Sequence, residues 1–217
     1  MDDIEAAPKP KFKNVIAIAG LETLKNKKGI PSRWADTFMN NVDTWIKDTW
    51  DKKAGGKAVV LDARKFKAHA EPLTAILDAM IAAAKDMPDG LDALFYTGHG
   101  DMETLYVFSK SRTDLPDNLR FIMLENLTWH WPEINWSTNP NKGTWLATCR
   151  AGGDEGKKWE ICIAQYLANE TKVRTWGFLW RCSQKQRADK GYYQRPDRGN
   201  YVAFDSLKEN IVTLKPS

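Results

Sequence analysis

A chain of 217 residues, 42% apolar and 28% charged, has the composition of a globular domain that can bury a core without metal or disulfide staples, which excludes a disordered protein. Lys and Arg number 32 against 28 Asp and Glu, and the resulting +4 is too even to demand a nucleic-acid partner. Three cysteines, Cys149, Cys162 and Cys182, lack any CxxC spacing and build no disulfide framework, so a reducing compartment and no metal centre are expected.

The opening MDDIEAAPKPKFKN carries no apolar segment of the kind a secretory signal needs, and residues 1–13 read as a flexible lead. Residues 14–20 (NVIAIAG) are a short β-branched apolar run, expected as a buried strand. A polar loop with Gly and Pro follows, and Ser32 stands as an N-cap for a helix over 33–51, where Trp34, Phe38, Val42, Trp45 and Ile46 recur at helical spacing. Gly55 and Gly56 break the chain before a second strand at 57–63. Residues 71–86 form an amphipathic helix with Pro72 in its first turn, stopped by Pro88, Asp89 and Gly90. A third strand, 92–97, runs into Gly98-His99-Gly100-Asp101. Residues 101–143 are the least regular part and include the Trp-rich WHWPEINW.

A fourth strand, 144–148, runs into Cys149, then a RAGGDEG turn, a helix over 157–170 and a fifth strand over 173–180. Residues 183–200 are polar, basic and rich in Gly and Tyr and read as a long loop, with a sixth strand at 201–204. Apolar strands alternating with amphipathic helices imply an α/β fold, a parallel sheet with helices on both faces. No apolar run approaches the roughly 18 residues of a membrane span, so no membrane partner is expected and the location is read as cytoplasmic, with signal-independent secretion left open.

Parallel sheets place functional residues beyond the carboxyl ends of their strands, which directs attention to His99 and Cys149. A thiol becomes a nucleophile beside a base or in a positive field, and an imidazole supplies both, then protonates a leaving amine. Flanking glycines let a substrate approach the backbone closely, and the amides of Gly100 and Cys149 are the candidate oxyanion hole. A helix N-terminus soon after Cys149 would add to the field.

The block LFYTGHGD, with WLATCRAGG about fifty residues on, resembles the caspase-like cysteine peptidases, the clan of caspases, metacaspases, separases and CHAT-type peptidases. The resemblance covers about residues 14–205 and implies a caspase-like three-layer sandwich with a mostly parallel central sheet of about six strands, residues 14–217 being a single domain. It implies a cysteine endopeptidase with Cys149 as nucleophile, His99 as general base and acid, no cofactor, and a protein or peptide substrate as partner. The chain departs from the clan at Ala147, where metacaspases carry Asp and caspases Gln, so no P1 preference carries over. The sixth-strand edge leaves a homodimer open.

Asp101 is a further candidate, for orienting His99 or lining a pocket, beside its reading as a solvated turn residue. Trp129 and Trp131, with Trp136, either line a peptide groove or cover a core edge. Arg181 and Cys182 end the fifth strand near the presumed site. Cys162 reads as core, Arg150 as a source of positive field or a solvent-facing cation, and Asp154 and Glu155 as acids in a helix's first turn. Two rival functions stand beside the peptidase: a catalytically silent binding module using the Trp-rich loop, and a nucleic-acid-associated α/β protein using the basic run 185–198, the less favoured of the two.

Overall fold

The structure, a computed structural model, describes residues 11–21, 37–108, 114–124, 131–154, 157–159, 161–179, 182–187, 191–196 and 202–207. In chain order the elements are β1 (Val15–Ala19), α1 (Thr37–Thr49), β2 (Ala58–Asp62), the one-turn α2 (Ala63–Phe66), α3 (Pro72–Lys85), β3 (Ala93–Thr97), β4 (His99–Gly100), β5 (Thr104–Tyr106), β6 (Ile122–Met123), β7 (Gly143–Ala147), β8 (Gly153–Asp154), β9 (Lys157–Lys158), α4 (Ile163–Thr171), β10 (Arg174–Gly177), β11 (Cys182–Arg187), β12 (Gly191–Pro196) and β13 (Val202–Phe204). Six of the strands form one sheet in the order β13-β10-β7-β3-β1-β2, parallel throughout except for the antiparallel edge strand β13.

Strand pleating sends alternate residues to opposite faces, and both faces are covered. Ile16, Ile18, Leu94, Tyr96 and Leu146 join one core with Leu73, Ile76, Leu77 and Met80 of α3 and Ile163, Ala164 and Leu167 of α4. Val15, Ala17, Phe95, Trp145, Ala147 and Trp176 join a second core with Phe38 and Val42 of α1. The second core takes up much of the tryptophan content. Phe95, Trp145 and Trp176 occupy one row across β3, β7 and β10. The Trp145 and Trp176 rings stack at 4.4 Å and 10°, and Trp45 of α1 lies on Phe95 at 4.6 Å and 9°.

The amino edge of the sheet is tied by two buried polar side chains. Asp92, 4% exposed, accepts from the amides of Lys13 at 2.8 Å and Asn14 at 2.9 Å and from the Ser137 hydroxyl. Asn14 donates to the Gly90 carbonyl and accepts from the Lys57 amide, which links the entries of β1, β2 and β3. Among the described residues no helix is long and apolar enough to cross a membrane.

The expected elements recur within a residue or two at most ends, and four expectations need correction. Residues 11–13 do not belong to a flexible lead: Phe12 is fully buried, its amide donates to the Thr49 carbonyl, and Trp50 Nε1 donates to the Lys13 carbonyl. An aromatic side chain between lysines is enough to anchor this segment in the second core. The helix expected over 157–170 begins only at Ile163, because Lys157–Lys158 pair with Gly153–Asp154 in a small hairpin. The expected loop 183–200 contains the β11–β12 ribbon, which lies along α1. Neither CSQKQR nor GYYQRP has the apolar alternation by which a strand is read from sequence. Residues 101–143 hold β5 and β6, which join β4 in a three-stranded sheet whose strands are too short to show a period. Ser32 and the start of the first helix lie outside the described residues.

Candidate active site

The register of β3 on β7 brings the two candidate residues together. Thr97, the last residue of β3, pairs with Ala147, the last of β7. His99 and Cys149 each lie two residues beyond that pair, so they leave the same sheet edge from adjacent parallel strands, whose axes run about 4.8 Å apart. The strand ends also touch directly. A Cβ placed on Gly100 would sit 2.5 Å from Thr148 Oγ1 and 2.8 Å from the Thr104 carbonyl oxygen. The residue after the histidine is thus packed on the residue before the cysteine, and only glycine fits there.

His99 is exposed at the edge, with its ring edge-on to Phe38 of α1 at 5.4 Å and 89°. Beneath it, Asn41 of α1 donates to the buried Thr97 hydroxyl at 3.1 Å. Tyr96, 2% exposed, turns its hydroxyl back over the strand end and donates to the His99 carbonyl at 3.0 Å. A side chain on Gly98 would collide with that hydroxyl, and one on Gly20 would crowd it at 3.3 Å.

The β4–β5 hairpin sets the direction of the Gly100 amide. Asp101 N–H donates to the Thr104 carbonyl at 2.9 Å, closing one hydrogen-bonded pair. Antiparallel pairs alternate between bonded and non-bonded. With His99 opposite Tyr106 and Gly100 opposite Leu105, Gly100 is in the non-bonded pair and its N–H faces away from β5.

Cys149 is half-buried. The next residue, Arg150, has a left-handed backbone, φ 54°, and its guanidinium pairs with Asp154 across 2.9 Å. Gly153 N–H donates to the Arg150 carbonyl and Gly152 N–H to the Phe178 carbonyl, so a tight turn follows the cysteine. The expected helix N-terminus in this place is corrected, since α4 starts at Ile163 and Asp154 belongs to β8. Arg150 is accordingly an ion-pair partner of Asp154, not a lone cation facing water.

Cys162 belongs to the fold. It is 1% exposed, and its Sγ caps α4 by accepting from the Gln165 amide at 3.4 Å. Burial pushes its thiol up to about 11, partly offset by backbone hydrogen bonds. Cys162 is therefore expected to resist alkylation in the native protein at pH 8 and to react once the protein is unfolded, a contrast read by peptide mass spectrometry. The raised value also means that the folded state keeps a proton that the unfolded state loses. This stabilisation is whole below the ordinary thiol value and is lost as pH rises from about 9 to about 11. A Cys162→Ala variant should show a shallower loss of Tm across that alkaline interval.

The remaining candidates divide. Asp101 accepts from the Tyr106 hydroxyl at 2.5 Å and from the Glu103 amide at 3.1 Å, so it closes the hairpin turn, in line with its reading as a turn residue. Trp131 is 2% exposed in the first core, which corrects its reading as a groove residue. Trp136 is half-buried against the same core. Cys182 is the first residue of β11. Trp129 and Arg181 lie outside the described residues. Among the described residues no group of three or more His, Cys, Asp or Glu could hold a metal ion.

Sequence reasoning missed Tyr96, Phe38, Asn41 and Thr148. Tyr96 carries a usable signal: a tyrosine inside a largely apolar strand needs a partner for its hydroxyl, and a glycine two residues on leaves room to reach one. What fold and strand ends define together is an α/β protein with a six-stranded, mostly parallel sheet and a His–Cys pair at its carboxyl edge. Comparison of the chain with family models, with curated proteins and with solved structures returned no match.

Proposed function

We propose that the protein is a cysteine endopeptidase of the caspase-like type. The observation that carries this reading is the β3–β7 register, which sets His99 and Cys149 at the same offset beyond adjacent strands, with Gly100 packed on Thr148. In this mechanism the imidazole of His99 takes the Cys149 proton, and the thiolate attacks a peptide carbonyl. The carbonyl π electrons move to oxygen, and the oxyanion is met by the Gly100 and Cys149 amides. Collapse expels the amine as His99 returns the proton to it, leaving a thioester. His99 then deprotonates a water molecule that releases the acyl group. The exposed position of His99 suits an open site that receives an extended polypeptide.

A limiting dose of iodoacetamide at about pH 6 tests the pairing. An unperturbed thiol near 8.5 is almost entirely protonated there. Selective labelling of Cys149, lost in His99→Ala, is the expected result. Labelling at pH 6 that is equally slow for Cys149 and a free thiol, or that survives His99→Ala, overturns the reading.

A further inference from the structure

We infer that Tyr96 is a positioning residue for the oxyanion donor: its hydroxyl, bonded to the His99 carbonyl, holds and polarises the peptide whose other end is the Gly100 N–H. The inference rests on the peptidase reading and adds a residue to it. A peptide unit is planar and trans, so its C=O and N–H point in opposite directions. The carbonyl of His99 and the amide of Gly100 belong to one such unit. Tyr96 Oη–H reaches that carbonyl at 3.0 Å from a position that is almost wholly buried.

The hairpin register assigns the same carbonyl to the side of β5 and the Gly100 amide to the opposite side. Two donors on the carbonyl side therefore pin the plane, one from the ladder and one from Tyr96. Each draws electron density toward oxygen and leaves the N–H a stronger donor, as in any hydrogen-bonded chain away from water. The neighbourhood is shaped for this single contact. Gly98 has no side chain because Tyr96 Oη occupies the space that a Cβ would take, and Gly20 borders the same notch. Burial holds the phenol well above its ordinary range, so it stays a donor at every working pH.

Two reactions of one thiol separate this role from general support of the fold. In acetyl transfer from p-nitrophenyl acetate, the Cys149 thiolate adds to the carbonyl carbon, an oxyanion forms, and its collapse expels p-nitrophenolate. In alkylation by iodoacetamide, the thiolate displaces iodide from carbon and no oxyanion forms. Tyr96→Phe is expected to slow acetylation of Cys149 about tenfold, less than the roughly hundredfold or more for deleting a direct donor, while alkylation stays within about twofold. The pH midpoint of alkylation is expected to stay where it is in the parent protein. Gly98→Ala, which keeps the hydroxyl but drives it from the notch, should give the same split. Unfolding curves and the silence of Cys162 toward iodoacetamide report that each variant is folded.

Acetylation unchanged in Tyr96→Phe overturns the inference, and so does an equal fall in both reactions with a shifted pH midpoint. A parent protein whose Cys149 is neither acetylated nor alkylated faster than a free thiol removes the peptidase reading, and this inference with it.

Discussion

Cys149→Ala is expected to reduce cleavage of a proteome-derived peptide library by at least about four orders of magnitude, the scale on which deletion of a nucleophile acts in a unit of cooperating groups. The size of the effect follows from what remains. Without the thiolate no acyl-enzyme forms, and His99 with the Gly100 amide would have to direct a water molecule in its place. Stability should hardly move, because Cys149 is only half-buried at the sheet edge and alanine fits a turn already fixed by the Gly152 and Gly153 amides. Library cleavage by the parent protein that persists in this variant would place the activity elsewhere in the chain. His99→Ala should fall less far, since the thiolate fraction present at pH 8 can still attack.

The largest effect on stability is expected from Trp145→Ala, at about 3–5 kcal/mol. Trp145 sits in the middle of the aromatic row. It stacks on Trp176 at 4.4 Å and also meets Phe12 at 5.1 Å and Trp45 at 6.1 Å, so removal opens a void bounded by large rigid rings. Rings held by a parallel sheet on one side and α1 on the other have little freedom to collapse into it. Against a typical total of about 5–15 kcal/mol, such a loss puts Tm down by about 10 °C for a chain of this size. Urea unfolding of the variant and the parent checks it, and a loss under about 1 kcal/mol would mean that the row is not the pillar of the second core.

The central sheet could be read from the chain because its strands are buried on both faces. NVIAIAG, KAVVLDA, DALFYT and TWLAT are nearly continuous apolar runs bounded by Gly or polar turns, and a strand covered by helices on both sides has no other appearance. Their order gave parallel pairing, and that in turn gave the shared edge of His99 and Cys149. What stayed hidden depends on contacts between distant segments or on elements too short to have a period. Phe12 looks like one aromatic in a lysine-rich lead until Thr49 and Trp50 are placed beside it. Asp92 looks like a solvated strand-end acid, yet it gathers two amides and a hydroxyl at the amino edge. Trp131 reads equally as groove wall or core edge, because a Trp-rich stretch suits either, and only its burial in the first core decides between them. At the site itself the sequence pointed to the two reacting side chains and the glycine amide, but not to Tyr96, whose part is visible only in where its hydroxyl ends.

The pairing of β3 with β7 also bears on when the protein could act during its own synthesis. His99 and Cys149 follow β3 and β7, which the 101–143 segment separates in the chain, and nothing in β3 alone places a base near a thiol. A nascent chain that has emerged only as far as β4 holds His99 and no cysteine. One that has emerged through residue 149 holds both, yet they come within reach only when β7 docks along β3. Assembly of the sheet is thus the step that brings His99 and Cys149 to one edge, and on the proposed function a chain in which β7 has not docked along β3 has no means of attacking its neighbours.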